Sequence, residues 1–319
     1  MTRTELKTRR LTVPAKKAKR AGAQRPIWEE QPTFGGSLAK SILIGAIVIA
    51  VLLPLWMVVI TSLSTEETIR QAGGLVIIPQ EITFGAYRQV FAGGVVTRAI
   101  GVSLFVAIVG TAIAVLVTIL GAYGLSKPSM VFFKPILFTA LITMFFGAGI
   151  IPTYLVVSSL GLINSLWALI LPTAVSAFNV LVMRSFFMGI DASVLESARI
   201  DGAGEWRILF TMVVPMSKAV IAVVALFYGV AFWNAFFNAM LYINDNRLWP
   251  LQLVLRSYVL QGTAQQGNVG EQIATGGAPL APIALQMALV VIAMLPILVA
   301  YPFVQRHLKN GVMIGAVKG

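Results

Sequence analysis

Apolar residues in this chain gather into long runs instead of alternating with polar ones. Six runs come close to the roughly 20 residues that cross a bilayer as a helix. They are Ser41–Ser62, Ala99–Leu125, Ile136–Val157, Leu166–Met183, Ala219–Ile243 and Pro282–Phe303. Pro54 and Trp56 lie in the first, Gly147, Gly149 and Pro152 interrupt the third, Pro172 lies in the fourth, and Pro296 and Pro302 lie in the sixth. None of the six contains Asp, Glu, Lys or Arg. The pattern predicts an all-α, polytopic membrane protein with six transmembrane helices. It divides the chain into a basic N-terminal segment (1–40), a transmembrane domain (41–303) and a C-terminal tail (304–319).

Composition supports this. Of 319 residues, 58% are hydrophobic and 11% charged, with mean hydropathy +0.86. Soluble domains carry about 25% charged residues. Against that background a net charge of +12 needs a location. If the N-terminus lies inside, 19 of the 24 Lys and Arg residues fall on the inner side and 5 outside, while acidic residues divide 7 to 5. The whole excess is then internal, and the positive-inside rule places both termini in the cytoplasm. Ten of the basic residues precede the first run, among Pro14, Pro26 and Pro32. That lead sets orientation and attracts anionic headgroups of the lipid bilayer. No nucleic-acid-binding fold accompanies it, so a nucleic-acid partner is not expected. The first run begins too late for a cleavable signal peptide.

The absences also narrow the chemistry. There is no cysteine, and the one histidine, His307, lies in the tail. Thiolate metal sites and histidine triads are set aside, and no metal site is expected. No ionisable group sits at membrane depth, which argues against a proton-coupled carrier. Passive conduction, or a motion powered by a partner, remains. The chain has no Gly-x-x-x-x-Gly-Lys-Ser/Thr loop and is not expected to be an enzyme hydrolysing ATP itself.

The segment Arg184–Lys218 is too polar to span and too patterned for a plain linker. It holds 4 basic and 4 acidic residues. Ser193-Val194-Leu195-Glu196 fits a capping box, and Asp191 is a second N-cap candidate. A short helix through Ile200 should end at Gly202, where left-handed φ is tolerated. A second helix is expected from about Gly204 to Met212, with Pro215 marking the turn towards the fifth run. Leu195, Ala198 and Ile200 offer apolar contacts, ringed by Glu196, Arg199, Asp201, Glu205 and Arg207. From spacing alone, an amphipathic hairpin that merely caps the bundle explains this equally well.

The residues themselves say more. Glu196-Ser197-Ala198, three residues, Gly202, nine residues, Met212, one residue, then Val214-Pro215 resembles the EAA loop of ABC-importer permeases. That pattern reads Glu-Ala-Ala, three residues, Gly, nine residues, Ile, one residue, Leu-Pro. The departures, Ser197, Met212 and Val214, are small or apolar. From about residue 40 onward the chain resembles the inner-membrane permeases of carbohydrate importers of the maltose-transport type. Its ending, from Tyr301-Pro302-Phe303 to Ala316-Val317-Lys318-Gly319, is similar to a subgroup handling polysaccharide fragments or complex oligosaccharides. The resemblance implies a multi-pass protein of the bacterial cytoplasmic membrane. It implies a second homologous permease subunit, two ATPase subunits and an extracytoplasmic solute-binding protein as partners. It places Glu196, Ser197, Ala198, Gly202 and Pro215 in the ATPase-docking element. Glu196 is to face a basic residue of the ATPase, and Gly202 is to allow the turn between two coupling helices. ATP and Mg2+ belong to the ATPase partners, and no cofactor is expected on this chain.

A sugar path needs hydroxyl-binding amides and flat apolar faces. Asn234 and Asn238 share a helix face if the fifth run is one helix, as do Trp233 and Phe237. Tyr228 lies in the same run, and Asn179 in the fourth adds an amide. The plain alternative is packing and interhelical hydrogen bonding. The external stretch Asn244–Ala281, with Gln261, Gln265, Gln266, Gln272, Gly276 and Gly277, is either a connector or a reach towards a binding protein. Three rivals stand beside the importer reading: a self-contained channel or secondary carrier, a membrane scaffold, and an ABC permease for a non-sugar solute.

Overall fold

A computed structural model of the protein describes residues 34–260 and 282–315. The start of the basic lead, the glutamine-rich stretch 261–281 and the last four residues lie outside them. Among the described residues the regular structure is helical, apart from one isolated antiparallel bridge, Ser64 to Ile82. The chain divides into two compact units at Leu53/Pro54. The described part of the first is the N-terminal portion, 34–53, of α1 (Phe34–Ser62), an apolar helix with Leu43, Ile47 and Leu52 exposed. The second unit carries the rest.

Among the described residues, three helices are long and apolar enough to cross a membrane alone: α1, α4 (Val95–Leu125) and the Ile283–Pro302 part of the final helix, Pro282–Gly315. Each starts earlier or ends later than its apolar run. The final helix carries the expected tail on as helix to Gly315.

The other three runs are broken. The third forms α5 (Phe133–Phe145) and α6 (Ile150–Ser159). Gly149, at φ +85°, turns the chain between them in a region closed to most side chains. The fourth forms α7 (Trp167–Ile170) with a 3-10 turn to Thr173, then α8 (Ala177–Met188), bent by 52°. Ser176 caps α8 by accepting the Asn179 N–H. The fifth is preceded by α9 (Ala192–Ile200) and α10 (Glu205–Met216). It forms α11 (Lys218–Trp233) and α12 (Phe236–Tyr242). Six single uninterrupted spans are therefore a simplification. The loops hold helices that the apolar pattern missed: α2 (Glu66–Gln71), α3 (Gly85–Ala92) and α13 (Leu251–Leu260). The final helix is α14.

Helix α4 is the hub, packed against α11, α8, α13 and α3. Lipid tails are as apolar as leucine, so shape and hydrogen bonding must hold such helices together. Gly110 lets α4 approach the Phe232 ring, where an added Cβ would meet ring carbons at 3.0 Å. The Thr118 and Tyr228 hydroxyls lie 2.8 Å apart, and Tyr228 also accepts the Ser176 N–H at 2.9 Å. One phenol thus joins α4, α11 and the start of α8. Ser103 Oγ accepts the Leu251 N–H at 2.8 Å, and Trp233 Nε1 donates to the Ala293 carbonyl at 2.9 Å.

Candidate functional site

Two arrangements carry candidate chemistry: the α9–α10 hairpin and a small cavity beside the α11–α12 break. In the hairpin, Asp191 is the N-cap. Its Oδ1 accepts the Ser193 backbone N–H at 3.0 Å and the Ser193 hydroxyl at 2.9 Å. Of the two cap candidates, Ser193 lies inside the helix, so the Ser193–Glu196 box does not form. Glu196 is exposed and enters no ion pair among the described residues. Ser197, also exposed, returns its hydroxyl to the Ser193 carbonyl at 2.8 Å.

The helix ends in a Schellman turn. Gly202 N–H reaches the Arg199 carbonyl and Ala203 N–H the Ala198 carbonyl, each at 3.0 Å. Gly202 sits at φ +79°, where a Cβ is strained although nothing lies within 4 Å of it. Leu195, Ala198 and Ala203 pack inward against the core. Ile200, Trp206 and Phe210 point outward, 86%, 68% and 48% exposed. The Trp206 and Phe210 rings stack at 6.2 Å. Ile200, expected to share an apolar face with Leu195 and Ala198, lies on the outward side instead, and sequence reasoning missed the aromatic pair beside it. Its signal is two aromatics four apart in an otherwise polar segment.

Helix α10 runs on through a π turn, Leu209–Val213, to Met216. The chain then bends by 83° at Ser217 (φ −104°) into α11. Pro215 does not mark the bend, and the second helix does not stop at Met212. The π turn resets the hydrogen-bond register, so Val214–Met216 behaves as a first turn. There a missing N–H is tolerated.

Glu205 ties the hairpin to the C-terminal end of α4. Its Oε2 accepts the Tyr123 hydroxyl at 2.6 Å and a contact from Lys127 Nζ, while Arg199 Nε approaches Oε1 at 3.4 Å. The Lys127 ammonium also lies over the Tyr123 ring at 3.9 Å. These partners, Lys127 first and Tyr123 next, hold the Glu205 carboxyl below its ordinary value of 4.5. From the α8 side, Arg184 Nε donates to the Leu125 carbonyl at 2.7 Å.

The second arrangement is a cavity of about 220 Å³ lined by Thr173, Tyr228, Phe232, Asn234, Phe237 and Asn238. Asn234 and Asn238 come together here, but not on one continuous helix face. Asn234 ends α11, and its Nδ2 returns to the Val230 carbonyl at 3.0 Å. The Tyr228 hydroxyl and the Thr173 hydroxyl (3.1 Å to the Leu169 carbonyl) are already bonded to the chain. Trp233 is not part of this wall. It is buried against α14 and lines a separate apolar groove of about 660 Å³ with α4. Asn179 is buried near the start of α8 and does not line the cavity. Among the described residues no group of acidic or histidine side chains could hold a metal.

No protein-family model matches the chain. It is similar to the polygalacturonan/rhamnogalacturonan transport system permease protein YtcP of Bacillus subtilis. Identity is 40% over 267 residues, covering 84% of this chain and 92% of that protein. It is 32% identical over 240 residues to the sn-glycerol-3-phosphate transport system permease protein UgpE of Rhizobium meliloti, covering 72% of this chain and 84% of that protein. Among solved structures it is similar to a chain of a bacterial ABC transporter involved in the import of the acidic polysaccharide alginate. The TM-score is 0.79 at 26% identity, covering 87% of this chain and 99% of that one.

Proposed function

The chain belongs to the permease proteins of ABC transport systems, and from that premise we propose that it forms part of an import path for an oligosaccharide or polysaccharide fragment. ATP and Mg2+ act on two separate ATPase subunits, a second permease completes the path, and an extracytoplasmic binding protein delivers the solute. Both termini and the 184–218 loop lie on the cytoplasmic side. The observation that carries the reading is 40% identity, over most of both chains, to a permease named for polygalacturonan/rhamnogalacturonan transport. Similarity to the structure of an alginate importer supports it.

The hairpin supplies a physical means of coupling. One face packs on the core through Leu195, Ala198 and Ala203. The other presents Glu196, Ser197, Ile200, Trp206 and Phe210 outward. A charged residue beside an unpartnered aromatic pair suits a cleft of the ATPase subunit. Gly202 holds the turn in register, and Pro215 lies before the bend that leads into the membrane.

The cavity favours a sugar over a small phosphate ester. Its polar groups are hydroxyls and amides with no lysine or arginine. Each ring of an oligosaccharide brings hydroxyls for these groups to bind, also where it carries a carboxylate, whereas most of the polar surface of glycerol phosphate is charge. Asn234, Asn238 and the Phe237 ring are the contacts this subunit offers.

Reconstitution tests the assignment. Vesicles holding this chain with its second permease, ATPases and binding protein should take up labelled oligogalacturonide only with ATP. Glu196→Lys should lower uptake about tenfold, in the range of a lost interfacial charge contact, while the subunit inserts normally. Flux from this chain alone without nucleotide would establish a self-contained channel instead.

A further inference from the structure

A hairpin that receives force must be held to the membrane domain at more than one point, or it pivots. The covalent connection from α10 to α11 passes through the 83° bend at Ser217. Ile208, Leu209 and Val213 are buried behind the hairpin and fix its depth. Apolar contact is non-directional, so it leaves rotation poorly restrained. The directional restraint is at Glu205.

That carboxylate accepts from elements far apart in sequence. Tyr123 is the third residue from the end of α4, Lys127 lies just beyond it, and Arg199 belongs to α9. A single side chain of α10 thus binds the other coupling helix on one side and the end of the hub helix on the other. The Lys127 ammonium is fixed in turn by the Tyr123 ring. Charge-assisted hydrogen bonds of this kind have defined directions as well as strength. Among the described residues Glu196 on the exposed face enters no ion pair, so that face is open for docking while the rear face is fastened.

We propose that Glu205 is a positioning residue for energy coupling, a fastening of the α9–α10 hairpin to the C-terminal end of α4 that delivers hairpin movement to the hub helix instead of losing it at the Ser217 bend. This rests on the reading of the hairpin as the ATPase-docking element. Helix α4 contacts α11 and α8 along its length, so motion entering at Tyr123 reaches the elements that line the cavity. The residue does not touch solute or nucleotide. It acts through Tyr123 and Lys127.

The discriminating measurement is solute transported per ATP hydrolysed by the reconstituted complex. A merely structural loss lowers both rates together with the yield of complex. Loss of the fastening lets hydrolysis persist while transport falls. Glu205→Ala should lower the ratio about tenfold. Glu205→Gln, which still accepts from Tyr123 and Lys127, should lower it less. The exchange Glu205→Lys with Lys127→Glu should recover part of it. If Glu205→Ala does not assemble, Lys127→Met and Tyr123→Phe, which keep the carboxylate, must each lower the ratio. An unchanged ratio in all assembled variants, or a parallel fall in both rates without recovery by the exchange, overturns the proposal. If the unsubstituted complex shows no ATP-dependent uptake, the importer reading fails rather than the fastening.

Discussion

Two of the contacts of helix α4 are of opposite construction. Along its middle it meets α11 through shape, with Gly110 under the Phe232 ring and one hydroxyl contact to a buried phenol. At its C-terminal end it meets the hairpin through charge, where the buried Tyr123 and the more exposed Lys127 and Arg199 converge on Glu205. Within a bilayer, burying apolar surface against another helix gains little over leaving it in lipid, so close fit and paired hydroxyls must hold the join. In the charged join the contacts are directional and partly open to solvent, and each can break and reform. The first join suits a part that stays together. The second suits a part that transmits motion.

That contrast can be broken at either end. The largest effect is expected from Gly110→Leu. A Cβ alone would stand 3.0 Å from three ring carbons of Phe232, so the helices must separate. Overpacking of this kind costs about 1–3 kcal/mol, to be read as a lower melting temperature in detergent, with partial recovery when Phe232→Ala is added. An unchanged melting temperature would mean that the α4–α11 approach is not close.

A smaller effect is expected from Tyr228→Phe. It leaves the Ser176 N–H and the Thr118 hydroxyl without their common partner. Measured values for such bonds between membrane helices put the loss at about 1 kcal/mol. Melting temperature should fall while ATP hydrolysis per assembled complex holds. A fall in transport per ATP at unchanged stability would blur the two joins.

The smallest effect concerns pH at Glu205. Its folded value is depressed, chiefly by Lys127 and then Tyr123, with Arg199 also facing it. A depressed acid contributes stability above its unfolded value and loses it as pH falls through the folded one. The hairpin should stay fastened across the neutral range and release only below the ordinary carboxylate range. The distance between spin labels at Ser193 and Ser126 reports this. A change near neutrality would show that the carboxylate is not held by these cations.

Much of the fold is legible in the sequence because an apolar run of membrane length, free of charge, has little else it can be than a helix in lipid. Breaks marked by residues with unusual backbone freedom are legible too, as Gly147 and Gly149 show in the third run. The break at Asn234–Ala235 is not. It contains neither glycine nor proline, and it coincides with an asparagine whose side chain competes for the Val230 carbonyl. The proline rule points to Pro215 for the bend that falls at Ser217, because the π turn that accommodates the proline leaves no mark in the apolar period. In the hairpin, local features such as the Gly202 turn can be read directly. Glu205 reads only as one charge among several, since Tyr123 and Lys127 lie about 80 positions away. The Asn234–Asn238 pairing is expected for a helical reason that does not hold. Both line the cavity although the helix breaks between them.

The two glycines of the hairpin turn will age differently as the sequence drifts. Both have open space where a side chain would go. Gly204 sits at φ −68° and ψ 160°, a conformation that any residue adopts, so its occupant is free to wander. Gly202 is confined by the sign of a single torsion and by nothing else. Asparagine is the neutral-charge neighbour that the backbone accepts most readily there. A lineage can therefore rewrite one side of this turn freely while the other stays fixed for want of a mirror-image amino acid.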